Sequence, residues 1–118
     1  MEPQPPAELA DVDHRIRIRT IHRLAEAGDP YAVRWIRPLL DDRESLVRSA
    51  AIVALGQLHD EEAFDAIVGF LEARTTHERG NALDALVALN GARLREPLIR
   101  AMETEPWSLL RAQMIRAL

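Results

Sequence analysis

The sequence predicts an all-α fold: a right-handed α-α superhelix in which three A/B helix pairs stack and a final A helix follows. Three observations carry this. An arginine recurs every 31 or 32 residues, at Arg17, Arg48, Arg79 and Arg111. Aliphatic residues recur at fixed offsets around it, and turn residues punctuate the chain between the repeating stretches.

The A helices come first in each repeat. Seven residues after each arginine stands Leu24, Leu55, Leu86 or Leu118, and four after it Ile21, Ile52, Leu83 or Ile115. The residue before it is Ile16, Val47, Glu78 or Leu110, so only Glu78 interrupts an apolar column. Offsets of −1, +3, +4 and +7 trace one face of a helix. The strand-like alternation Ile16-Arg17-Ile18-Arg19 is overridden because this register runs through it and resumes 31 residues later.

A second register defines the B helices. Its columns are Ala27/Leu58/Leu89, Ala32/Ala63/Leu94, Ile36/Ile67/Leu98 and Leu40/Leu71/Met102, and the last three are spaced by four within each repeat. Gly28-Asp29-Pro30 ends the first A helix, with Asp29 expected to cap the next and Pro30 to open it. Asp60 is expected to cap the second B helix, Asn90-Gly91 to close the third A helix, and Thr75 to Glu78 to form a capping box. Pro106 marks the last helix start. Pro38 lies inside the first B helix, where it cannot donate to the carbonyl of Arg34, so a kink or tightened turn is expected there. Residues 1–13 read as an N-terminal segment, partly ordered or beginning the first helix. Residues 14–118 read as one repeat domain, with repeats at about 14–43, 44–74 and 75–105 and a half repeat at 106–118.

Residues 46–58, LVRSAAIVALGQL, resemble the VRxxAAxALGxL core of short HEAT-like repeats, the type named after phycobilisome lyases. The resemblance spans about residues 14–118 and is most diverged in the third repeat. It implies a solenoid whose repeats bury their faces against one another, and a concave side lined by B helices as the usual binding surface. The recurring arginine reads as structural, pairing with acidic turn residues such as Asp42 or Asp60.

Composition narrows the function classes. A chain of 118 residues supports one domain, and its aromatic content of 4% leaves Ala, Leu, Ile and Val to fill the core. With no cysteine, disulfides and thiolate metal sites are excluded. No apolar run is long enough to span a bilayer and no secretion signal stands at the N-terminus, so a cytoplasmic protein is expected. All fifteen basic residues are arginine, and the net charge of −4 is uneven: residues 1–13 and 49–92 are acidic, 14–48 and 93–118 basic. That distribution lacks the continuous cationic track a nucleic-acid binder needs.

No catalytic residue, metal site or cofactor is expected. His14, His22, His59 and His77 show no metal-ligand spacing, and no Gly-rich phosphate loop is present. His77-Glu78 invites comparison with deoxyhypusine hydroxylase, a HEAT-like enzyme whose iron is held by several His-Glu pairs. In that family the pair follows the repeat arginine; here it precedes Arg79 and occurs once. It reads as a helix N-terminal turn.

The expected function is therefore non-catalytic: a protein-binding or scaffolding module, with an accessory part or fragment of a HEAT-like enzyme (bilin-lyase-like or deoxyhypusine-hydroxylase-like) as the alternative, and nucleic-acid binding through the arginine stripe of the first helix ranked below both. Register places Arg34, Arg37 and Asp41 on the outward side of the first B helix. Asp65, Val68 and Glu72 follow on the second, and Glu96, Ile99, Arg100 and Glu103 on the third. This amphoteric strip suits a protein or peptide partner. On the last helix, Met114, Ile115 and Leu118 are expected to form an open apolar edge for a homodimer contact or a partner helix, or, in a fragment of a longer solenoid, the place where the next repeat begins. Arg15, Arg19 and Arg23 line one face of the first helix, with Asp11 and Glu26 placed to pair with them. Trp35 is expected to be half-buried and Trp107 exposed.

Overall fold

A computed structural model describes residues 3–118 of the chain. Its seven α-helices run in the expected order, and no strand occurs among the described residues. The A helices are α1 (His14–Ala27), α3 (Ser45–Gln57), α5 (Thr76–Asn90) and α7 (Ser108–Ala117). The B helices are α2 (Ala32–Ile36), α4 (Phe64–Val68) and α6 (Arg95–Thr104). A short 3-10 turn, Ala7–Ala10, precedes α1 and buries Leu9 against the first repeat. The stack measures 44 × 27 × 18 Å, elongated as a one-dimensional array should be.

The aliphatic columns form the core. Ile21, Ile52 and Leu83 of the A helices and Ile36, Ile67 and Leu98 of the B helices are all buried in one cluster. Each such side chain removed from water stabilises the fold by about 1.5–3 kcal/mol before entropy is counted. Helix α3 lies between α1 and α5 and is buried on both flanks, which is why its sequence is apolar nearly all round. It approaches α5 so closely that a Cβ on Gly56 would stand 2.9 Å from the Cβ of Ala85.

Turn chemistry matches the sequence in part. Gly28 ends α1 with φ +65°, the left-handed conformation glycine supplies without strain. Asp29 accepts from the Tyr31 N–H in a turn, and α2 starts only at Ala32. Asp60 precedes the 3-10 turn Glu61–Ala63 but does not cap it, because its carboxylate is taken by Arg37. Thr75 caps α5 by accepting from the Glu78 N–H; its hydroxyl also donates to the Glu78 carboxylate, in place of the expected reciprocal bond to the backbone. Asn90 is the last residue of α5, while Gly91 stays right-handed and opens a 3-10 turn. Ala27, assigned to a core column, is exposed.

The tightened turn at Pro38 is present: α2 passes into a 3-10 helix, Arg37–Asp41. The second repeat makes the same transition, from α4 into Gly69–Glu72, with no proline. The third B helix, α6, stays α-helical throughout. The tightening therefore does not require proline, and Pro38 fits a conformation the second repeat adopts without one.

Candidate interaction surfaces

The recurring arginines form a ladder along the stack. Arg17 donates through Nε and Nη2 to both Asp42 oxygens, at 3.0 and 2.9 Å, and through Nη1 to the carbonyl of Asp11. Arg48 does the same with the Glu78 carboxylate, at 3.0 and 3.3 Å, and the carbonyl of Asp42. Arg79 grips Glu105 at 2.7 and 3.2 Å and the carbonyls of Ala73 and Arg74. Arg111 keeps the backbone contact alone, to the Glu105 carbonyl at 3.0 Å.

The fork geometry explains why arginine recurs, since a lysine ammonium cannot serve two carboxylate oxygens and a carbonyl in one plane. The acid stands 25 or 26 residues after Arg17 and Arg79. Ala73 occupies that place after Arg48, so the carboxylate comes instead from Glu78, 30 residues on. That is why Glu78 interrupts the apolar column while remaining buried. Burial works against charge on Asp42, yet the bonds from Arg17 and the Glu44 N–H outweigh it and hold the carboxyl below the usual range. Glu78 behaves alike: burial opposes ionisation, and Arg48 and Thr75 reverse the balance.

The B-helix strip is partly committed to internal pairing. Arg37 is not a free outward cation: it bridges repeats by donating to Asp60 at 2.6 and 2.5 Å, and it reaches Glu62 at 3.1 Å. The register did not reveal the acidic turn of the next repeat, which engages it. Asp65 receives Arg93 at 3.0 Å, and the same guanidinium lies 4.4 Å from the centre of the Phe64 ring. Val68 is half-buried against the core. Arg34, Asp41, Glu72, Glu96, Arg100 and Glu103 are exposed, and Ile99 is partly so.

At the C-terminal edge the comparison between repeats is sharp. Ile115 is 54% exposed, whereas its counterparts Ile21, Ile52 and Leu83 are 0%, 0% and 3%. Leu118 is 50% exposed, against 8%, 0% and 0% for Leu24, Leu55 and Leu86. Met114 departs from expectation and is fully buried. Its counterparts at +3, Thr20, Ala51 and Ala82, are buried as well, so this column packs inward in every repeat. The +4 and +7 columns are the ones left open on α7.

The arginine stripe of α1 is paired, though not as spacing suggests. Arg15 meets Asp13 at 3.0 Å, and Arg23 meets Glu8 at 3.5 Å. Hydrogen bonds from the Arg15 side chain and its backbone N–H pull the pKa of the half-buried Asp13 carboxyl down to about 2. Trp35 is half-buried and stacks on Tyr31 with centroids 6.0 Å apart, and Trp107 is exposed.

Sequence reasoning missed two adjoining grooves across the A helices. One, of about 390 Å³, runs between α3 and α5 past Gly56, Asn81 and Ala85. The other, of about 270 Å³, lies over Ile18, Leu46, Ser49 and Ala50, where the Ser49 hydroxyl is buried without a hydrogen-bond partner. The signal was there in the small residues of α3 and α5, which read only as close packing. His77 begins α5 on the exposed side, and no group of three or more His, Asp or Glu side chains converges among the described residues. No helix of those residues is long and apolar enough to cross a membrane.

Stacked helix pairs joined by an arginine ladder define a helical-repeat protein. Residues 7–79 match the HEAT repeats family model, and the chain belongs to that family. Deoxyhypusine hydroxylase from Danio rerio is 29% identical to it over 102 residues, covering 78% of this chain and 33% of that protein. The chain thus spans about a third of the length of the curated relative it matches.

Proposed function

We propose that this chain is a non-catalytic protein-binding or scaffolding module that meets its partner through the exposed B-helix strip, the apolar flank of α7, or both. One observation carries the reading: Ile115 and Leu118 lie half exposed where the same positions of three other repeats are closed. Contiguous apolar surface on a helix flank is the usual mark of an interface. The repeat belongs to the short class typified by phycobilisome lyases, on the strength of its period, and a cytoplasmic setting accords with its freedom from cysteine.

The test is a cross-linking pull-down from the native organism with wild type and with Ile115→Glu/Leu118→Glu. These positions are exposed, so the variant should fold, as circular dichroism will verify. A partner held by wild type and lost by the variant supports the reading. Identical capture by both, or capture by neither, overturns it.

The likeness to deoxyhypusine hydroxylase favours a second reading, an accessory part of a HEAT-like enzyme. Against it, the Glu78 carboxylate of the single His-Glu step is engaged by Arg48 and Thr75. Iron bound near stoichiometry after purification from the native source would favour the enzyme reading; its loss on His77→Ala would place the metal.

A further inference from the structure

The repeat allows the outer face of the A layer to be compared helix by helix. Its outward positions, two before the arginine and two, five and nine after it, hold Arg15, Arg19, His22 and Glu26 on α1. On α3 the same positions hold Leu46, Ala50, Val53 and Gln57, none of them charged. The one charged side chain of α3, Arg48, is turned to Glu78. Yet this line meets solvent: Leu46 is 53% exposed, Gln57 is exposed and Val53 is half-buried. It lies in the middle of the stack, between α1 and α5. An uncharged line at the surface, beside a helix that fills the same positions with charge, has the character of a packing seam.

Its shape is that of a helix-packing surface. The groove of about 270 Å³ is framed on α3 by Leu46, Ser49, Ala50 and Val53, and the one of about 390 Å³ by Val53, Gly56 and Gln57. Residues at i, i+3, i+4 and i+7 are those that frame the hole for a knob of a facing helix. Small residues floor both holes, and the Ser49 hydroxyl in the first is buried with no hydrogen-bond partner. The knobs stand on the same helix: Leu46 and Val53 lie seven residues apart, as do the two holes.

From this match we infer that α3 packs antiparallel against α3 of a second copy, across a two-fold axis at the level of Ala51. That register seats Val53 of each copy in the first hole of the other, and Leu46 in the second. It brings Gln57 of the second copy within about one helical turn, about 5 Å along the axis, of Ser49, which thereby gains a hydrogen-bond partner. The same axis sets α1 and α5 antiparallel to their own copies, at the levels of Thr20 and Ala82. Arg15 then faces Glu26 of the second copy, and Asn81 faces Asp84. Neither the Glu26 nor the Asp84 side chain has a hydrogen-bond or ion-pair partner among the described residues. The face is thus complementary to itself in fit and in charge, as an isologous contact requires. This contact depends neither on the partner-binding reading above nor on either end of the stack.

Light scattering and sedimentation of the intact protein test it, with a dimer expected to populate at about 10–100 µM. Leu46→Arg should keep the circular dichroism spectrum and give a monomer. Arg15→Glu and Glu26→Arg should each weaken dimerisation about tenfold, and the two together should restore it, which a folding defect would not do. The chain has no cysteine, so single replacements report the register. Ala50→Cys lies near the axis and should cross-link to its own copy under mild oxidation. Gln57→Cys, held about 17 Å from its counterpart along the helix, should not. Linking through Gln57→Cys as fast as through Ala50→Cys overturns the antiparallel register and the inference with it. A monomer at about 1 mM, a dimer indifferent to Leu46→Arg, or one dissolved only by Ile115→Glu overturns it as well.

Discussion

Replacing Arg17 by methionine tests the ladder where its physics is clearest. The aliphatic stem is kept, so packing changes little, but the fork is lost. Arg17 and Asp42 side chains are only 4% and 9% exposed, so the orphaned carboxylate cannot recover its hydration. It keeps the Glu44 N–H, while the Asp11 carbonyl loses its donor. Breaking one partner of a buried pair costs about 3–5 kcal/mol. A domain of this length is stable by about 6–18 kcal/mol, so the loss is a large share and should lower the melting temperature by on the order of 15 °C. Urea denaturation followed by far-UV circular dichroism measures it. Arg17→Lys should recover only part, since an ammonium cannot reproduce the three-way contact.

A second readout is pH. The folded Asp42 carboxyl titrates below its ordinary value of 3.8, so the unfolded chain takes up the proton first as pH falls. The pair's stabilisation is therefore complete above that ordinary value and lost as pH drops through the folded one. Arg17→Met removes the depression, and the variant's acid limb should be flatter than that of wild type. A cost below about 1 kcal/mol, a fully stable lysine variant, or an unchanged acid limb would refute the reasoning.

Other expectations follow from single contacts. Gly56→Ala forces α3 and α5 apart and should cost about 1–3 kcal/mol by thermal denaturation; Gly80→Ala, with open space around its Cβ site inside α5, should gain up to about 1 kcal/mol. Thr75→Ala removes the α5 cap and one Glu78 partner and should cost about 1 kcal/mol in the same assay. Pro38→Ala should leave the 3-10 turn at Arg37–Asp41 in place, shift stability by less than about 1 kcal/mol, and keep the helical content of the circular dichroism spectrum unchanged. A straightened first B helix in a crystal structure of that variant would show the proline to be the cause.

The helices were legible in the sequence because each column repeats, and repetition averages away the local exceptions that defeat reading one helix at a time. Pairing of the repeat arginine with an acidic turn residue was legible for the same reason: Asp42 does receive Arg17, whereas Asp60, expected beside it, is held by Arg37. What escaped depends on which neighbour a buried face meets. An A helix in a stack has two buried flanks, one against the adjacent A helices and one against the B-helix layer. Periodicity marks both as apolar without separating them. Met114 was thus assigned to the open flank although its column, with Thr20, Ala51 and Ala82, packs inward. Arg37 looked solvent-facing because its partners, Asp60 and Glu62, lie 23 and 25 residues on, beyond any local pairing rule. Glu78 read as a capping residue when its carboxylate also completes a rung.

The ladder also gives the stack a direction. Every rung reaches forward along the chain for its carboxylate and backward, by six residues, for a carbonyl. At the first repeat both demands are met: Asp11 supplies the carbonyl, Asp42 the carboxylate, and the turn carrying Leu9 covers the apolar flank. At α7 only the backward demand is met, through the Glu105 carbonyl.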